Sequence, residues 1–230
     1  MKTIKILLIN LLFGLLLQSA LGQTYSDGVY VKRGVTVVVD KSVHEILTTN
    51  NTDILYFSNE LIVKVNTNSD FMIDSFYQEV INTNSLPEKL KSSSCNFSGT
   101  LMKGSVIVTY TGGNENSSCI ISTPFSTHEL SKGTFYLQVS DSKEITITLD
   151  GELKTEGNNK GKATTPTGYA VISVNNDSSG ITDSKISIYT DKVKTSVMDR
   201  LLNESKEVTN LKKSILFIKI DKKIIGIDIN

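Results

Sequence analysis

The chain has 230 residues, 24 basic and 24 acidic, with no Trp and 7% aromatic residues. Without Lys2 and Lys5 the net charge is about −2, so there is no excess of positive charge to hold nucleic acid or an anionic membrane surface. With only two Cys and two His, the usual ligands of a structural zinc are too few, and neither a metal nor a cofactor is expected.

The elements, in chain order, begin with an address. Lys2 and Lys5, the apolar run Ile6 to Leu17 and the small residues of "SALG" read as a secretory signal peptide over residues 1–22. The run is about a dozen residues, short of the roughly 20 that a spanning helix needs, and no later stretch is longer. The expectation is a secreted or periplasmic protein with no membrane span after signal cleavage. About 208 residues remain, enough for one good-sized domain or a domain with an appendage.

From Asp27 onward the apolar positions alternate or form short β-branched runs: "VYVKRGVTVVVD", "DILYF", "LIVKV", "DFMID", "SVIVTY", "SCIIS", "TFYLQV", "EITITL" and "YAVISV". These are strand signals. Turn-formers separate them, including "TGGNENS", "LDGEL" and "EGNNKGK". "DSFYQEVINT" is the one stretch before position 190 that could be helical, and it is short. Ser105 to Ser122 reads as a hairpin with a Gly- and Asn-rich tip, because Gly112 and Gly113 take positive φ at little steric cost. Cys95 and Cys119 are an even pair in a chain addressed to an oxidising space and are expected to form a disulfide. The closed loop of about 25 residues would contribute roughly 3 to 4 kcal/mol in the chain-entropy model.

From Thr190 the period changes. Val193, Val197, Leu201, Val208 and Leu211 recur at three- and four-residue steps, the pattern of an amphipathic helix. Thr190 or Asp191 is placed to cap its start, and Lys212 and Lys213 suit the negative end of its dipole. "ILFIKIDKKIIGIDIN" then reads as a terminal hairpin turning near Asp221 to Lys223. The expected fold is mainly β, an antiparallel sandwich, roll or short solenoid of short strands with a C-terminal amphipathic helix and a terminal β-hairpin. The expected organisation is a signal peptide over 1–22, a β domain over 23–189 and a helix-plus-hairpin appendage over 190–230.

"ISTPFSTHELSKGTFYLQV" followed by "EITITLDGEL" resembles the FecR-like domains of bacterial envelope sensors and secreted proteins, matching at Thr123, Pro124, Gly133, Thr134, Phe135, Gly151 and Glu152. "FSGTLMKGSVIVTY" is similar to the strand pair that precedes this core in the family. The motif-bearing part covers about 60 residues, with Lys132 where the family usually has Arg. The resemblance implies a β-rich envelope module, without the cytoplasmic anti-sigma segment of the best-known regulators. In physical terms Gly133 and Gly151 fit backbone turns, and Asp150-Gly151 is a tight-turn signal.

Nothing in this motif reads as a nucleophile, base and orienting group brought together. His128-Glu129 and His44-Glu45 both lack the second His four residues on that a helical zinc motif requires. The acidic residues Asp70, Asp74, Glu79, Asp141, Glu144, Asp150 and Glu152 are scattered over expected turns and strand ends, where most such residues face water. Sequons at Asn50, Asn96, Asn116, Asn176 and Asn203 would be surface glycan sites in a eukaryotic secretory pathway. The expected function is therefore a non-enzymatic binding or interaction module of the cell envelope, whose partner is another envelope or extracellular protein or polymer. The alternatives are a structural or adhesive surface protein and a carboxylate-dependent hydrolase, which a buried acidic site would reveal.

Overall fold

The computed structural model describes residues 23–32, 35–39, 45–49, 52–57, 61–81, 92–111, 117–158, 161–175, 186–209, 215–220 and 223–228, with side chains described at 52–57, 61–76, 96–111, 117–158, 161–174 and 190–206. The expected signal peptide, His44, the glycine-rich tip at 112–116, Lys212 and Lys213 lie outside the described residues, as does the side chain of Cys95.

The chain is mainly β. Its strands are β1 (Gln23–Lys32), β2 (Val35–Val39), β3 (Glu45–Thr49), β4 (Asp53–Phe57), β5 (Leu61–Val65), β6 (Ser69–Ile81), β7 (Ser92–Tyr110), β8 (Ser118–Ser122), β9 (Ser126–Val139), β10 (Lys143–Gly157), β11 (Lys162–Pro166), β12 (Tyr169–Asn175) and β13 (Ile186–Lys192). One helix follows, α1 (Thr195–Thr209), and then β14 (Ile215–Ile220) and β15 (Lys223–Asp228), which pair as a separate two-stranded sheet. The first 13 strands form one sheet in the order β13-β12-β10-β9-β8-β7-β5-β4-β1-β6-β3, with β11 added on β10 and β2 on β1. β7 also pairs with β6 and β9, so the sheet doubles over itself.

Alternation explains the doubled sheet. β4 and β5 bury every second residue, and Leu55, Phe57, Leu61, Val63 and Val65 meet Phe71, Ile73 and Phe76 of β6 in one core. Both halves of β7 enter that core, through Phe97 and Leu101 on one side and Val106, Val108 and Tyr110 on the other. Phe57 stands edge-on to Phe76 and Phe97, with ring centres 5.0 and 4.8 Å away. Each such aromatic pair adds about 1 kcal/mol beyond its buried area.

Several expectations are corrected. "DSFYQEVI", residues 74–81 of the stretch that could be helical, is extended and belongs to β6. Ser105 to Ser122 is not a hairpin: β8 runs parallel to the first half of β7, pairing Asn96–Thr100 with Ser118–Ser122. The second half of β7 instead pairs with β5 and β9. Long-range pairing overrides the local turn chemistry, because Val106 and Val108 find apolar partners across the sheet. Thr190 and Asp191 do not cap the helix; they close β13, and α1 begins at Thr195, with Lys194 O accepting from Val197 N at 3.0 Å.

Gly133 and Gly151 mark no strand-to-strand turn. Each lies inside a long strand, and they face each other across the β9–β10 pair. Their φ angles are 132° and 81°, and register shifts flank Gly151 on both sides. A Cβ on Gly133 would stand 2.2 Å from Asp150 O, and one on Gly151 2.5 Å from Lys132 O. The paired glycines therefore let two backbones touch at a double bulge, and both strands bend there. α1 covers the outer face beyond this bend: Leu201 packs with Ile147, Leu149 and Ala170, flanked by Tyr136, Val193, Val197 and Met198. Lys64 Nζ and Glu204 Oε2, 3.5 Å apart, tie α1 to β5.

Candidate functional site: a buried Ser, His and Glu cluster

β10 carries the site. Its first half alternates Ile145, Ile147 and Leu149, on the face that α1 covers, with Glu144, Thr146 and Thr148 on the other. The bend at Gly133 and Gly151 folds the far half of the β9–β10 pair toward that second face. His128 and Thr155 sit directly opposite one another in the far half, and Ser126 lies two residues before His128 on the same side of β9.

The polar atoms close on each other. Glu144 Oε1 accepts from Ser126 Oγ at 2.5 Å, and His128 Nε2 lies 3.0 Å from it. Ser173 Oγ, on β12 beside Glu144, donates to the same oxygen at 3.4 Å. Glu144 Oε2 accepts from Thr123 Oγ1. His128 Nε2 is also 3.0 Å from Ser126 Oγ and 3.3 Å from Thr146 Oγ1, and His128 Nδ1 is 3.0 Å from Thr155 Oγ1. Thr148 Oγ1 and Thr165 Oγ1 extend the layer at 3.0 Å. Ser126, His128, Glu144 and Ser173 are all 0% exposed.

The turn from β8 to β9 is held by the same group. Thr123 N donates to Ser126 O at 2.8 Å, while Thr123 Oγ1 accepts from Phe125 N and Ser126 N, each at 3.0 Å. This is a Ser/Thr turn whose hydroxyl faces the carboxylate. On the outer side Asn158 N donates to Phe125 O at 3.0 Å, and Asn158 Nδ2 donates to Pro124 O at 2.6 Å.

Burial pushes the Glu144 carboxyl up, but the hydrogen bond and charge of His128, with the hydroxyls of Ser126 and Thr123, outweigh it and hold the carboxyl below its ordinary 4.5. Glu144 is thus an interior carboxylate solvated by protein donors. The expectation of a water-facing carboxylate at a strand end, with no nucleophile and base brought together in this motif, is corrected: Glu144 is buried against Ser126 and His128. The missing signal was the register: Glu144 alternates with Thr146 and Thr148, and only the fold shows that this face looks inward.

The arrangement differs from a hydrolase relay. There the carboxylate holds the imidazole nitrogen remote from the nucleophile. Here Glu144 sits on the same nitrogen as Ser126, and Thr155 holds the other one. The remaining acidic candidates do not join it: Asp141, Asp150 and Glu152 are exposed, and Asp74 accepts from Thr100 Oγ1 at 2.7 Å. The side chain of Glu79 lies outside the described residues. Among the described residues no group of three or more His, Cys, Asp or Glu is arranged to hold a metal ion. Cys119 is buried, and β8 sets it beside Phe97, two residues along from Cys95. No helix among the described residues is long and apolar enough to cross a membrane.

No family model matches the chain, and no curated protein matches it. Two solved structures of candidate anti-sigma factors from Parabacteroides distasonis are similar in fold. One aligns with a TM-score of 0.42 at 11% identity, over 75% of this chain and 64% of its own length. The other aligns with a TM-score of 0.40 at 10% identity, over 87% of this chain and 100% of its own. This chain thus spans a little under two thirds of the first.

Proposed function

We propose that the chain is a non-enzymatic interaction module of the cell envelope, delivered to a secreted or periplasmic location by residues 1–22 and stapled there by a Cys95–Cys119 disulfide. The observation that carries this reading is the open sheet. Its path ends on β13 and β3, and a strand edge offers a row of backbone donors and acceptors to an extended segment of a partner protein. The resemblance to FecR-like domains points the same way. The Ser126, His128 and Glu144 side chains have no exposed surface, so a substrate molecule has no route to them in this fold.

The test combines capture with turnover. Consecutive N–H groups of a strand point to opposite sides, so one of Ser187→Pro and Ile188→Pro removes a donor from the open edge of β13. The mature chain, purified from the periplasm of a bacterial host, is expected to show no thiol open to alkylation and to retain an envelope partner that one of the two proline variants loses while keeping its fold. Turnover of a glycoside, ester or peptide substrate that Glu144→Gln abolishes in a folded chain would overturn the reading in favour of a hydrolase.

A further inference from the structure

β9 and β10 fold back together at Gly133 and Gly151, and the polar layer fills the corner in steps. Thr148 and Thr165 lie nearest the bend, Thr146, His128 and Thr155 come next, and Ser126 and Glu144 are outermost, each seven residues before the glycine of its own strand. Two tight turns meet at that mouth: Ser140 N donates to Lys143 O at 2.9 Å just before Glu144, and Thr123 N donates to Ser126 O at 2.8 Å. The hydrogen bonds described across the mouth all end on Glu144, from Thr123, Ser126 and His128. We propose that Glu144 is a pH-operated clasp: in acid it releases the Thr123–Ser126 turn, and the start of β10 swings away with β12 while the apolar interior stays shut. This regulation goes beyond the interaction role.

The donors set the direction. A carboxylate accepts from all of them, whereas a carboxylic acid brings a hydrogen of its own. Hydroxyls can turn to accept it, but an imidazole in acid carries hydrogen on both nitrogens and accepts nothing. His128, 0% exposed, is then a buried cation whose neighbour has lost its charge, and that state is costly. The folded carboxyl titrates below its ordinary 4.5, so the clasp holds above that pH and opens as pH falls through the folded value. No other described charge faces the cluster. Glu129 stands opposite Lys154 on the outer side of the β9–β10 pair, and Asp141, Lys143, Lys154, Glu156 and Lys162 are exposed.

Packing keeps the opening local. Leu130 and Leu153, beside the bend, belong to the apolar core, and Phe125 holds the Thr123–Ser126 turn to the same core. None of the core side chains there titrates in acid. On the other leg Leu201 packs on Ile147, Leu149 and Ala170, but Ile145, Ile172 and Val174 beyond them are only half-buried. The start of β10 and the end of β12 are therefore the loosely held parts of the corner.

Hydroxyl-radical footprinting by brief radiolysis oxidises side chains that water reaches, and peptide mapping reads them singly. At neutral pH His128 should be protected, together with Phe57, Phe76 and Phe97. Below pH 4.5 His128 should lose its protection and approach the rate of free histidine in the same buffer, while the three phenylalanines stay protected. Neutralisation should restore the protection of His128. Glu144→Gln has no carboxyl to titrate and should show no step in that range. Protection of His128 throughout the acid range would overturn the proposal. So would loss of protection at His128 and the three phenylalanines together, which is unfolding of the whole chain, or the same step in Glu144→Gln.

Discussion

Glu144 is the residue on which the interior polar layer depends. Thr123, Ser126, His128 and Ser173 all place a polar atom on its two oxygens, and its removal strands them in a buried space. Glu144→Gln swaps an acceptor for a donor among donors, and is expected to cost about 2 kcal/mol or more. Exposed Glu152→Gln should stay within about 0.5 kcal/mol. Urea unfolding midpoints of the two variants decide this. The pH dependence has a definite sign. The folded carboxyl titrates below its ordinary 4.5, so the unfolded chain binds more protons as pH drops through that value. The contribution of Glu144 is complete above about 4.5 and is lost as pH falls through the folded value. The wild type should lose thermal stability below pH 4.5 more steeply than Glu144→Gln; parallel curves would contradict the assignment. Residue type in the sequence could not show this. "EITIT" reads as an alternating strand whichever face is wet, and only the neighbouring strands decide which.

At the scale of elements, most strand cores were legible from alternation. "DILYF", "LIVKV", "SCIIS" and "YAVISV" lie within β4, β5, β8 and β12 with little adjustment. The pairing of the two terminal strands was also legible, with Ile220 opposite Lys223. What the sequence hid was how strands run on through their glycines. Gly151 looked like a turn because Asp-Gly usually is one, yet β10 continues past it. Gly133→Ala should therefore cost several kcal/mol, since the new methyl would meet Asp150 O at 2.2 Å in a backbone conformation with φ of 132°. Gly168→Ala is the comparison: its φ is +87° with nothing within 4 Å, so it should pay only the backbone strain, about 1 to 2 kcal/mol. Equal shifts in thermal midpoint would show that the double bulge is not tight. The helix makes a parallel case. Leu201 is 2% exposed against Ile147, Leu149 and Ala170, so Leu201→Asp should destabilise by several kcal/mol. Exposed Asn203→Asp should do little. Val193, Val197 and Leu201 were legible as a stripe, while the helix start was not, because Thr190 and Asp191 are good caps that the sheet recruits for β13.

On the scale of the whole molecule, the sheet is doubled over two different interiors. One is apolar and runs from β4 to β9 around Phe57, Phe76, Phe97 and Phe135. The other is the polar layer around Glu144, enclosed where the β9–β10 pair folds at its glycines. The sequence indicated the first through its hydrophobic alternation, and missed the second because its hydroxyls are spread over three stretches of chain. The reading of function turns on the second interior: a serine, a histidine and a glutamate meet there with none of their surface exposed. The central claim is that closure. Diethyl pyrocarbonate acylates accessible imidazoles, and peptide mapping of the treated protein locates the adduct. In the native protein His128 should remain unmodified and become reactive only as the fold is lost in urea. Modification of His128 in the native protein at the rate of a free imidazole would contradict the account.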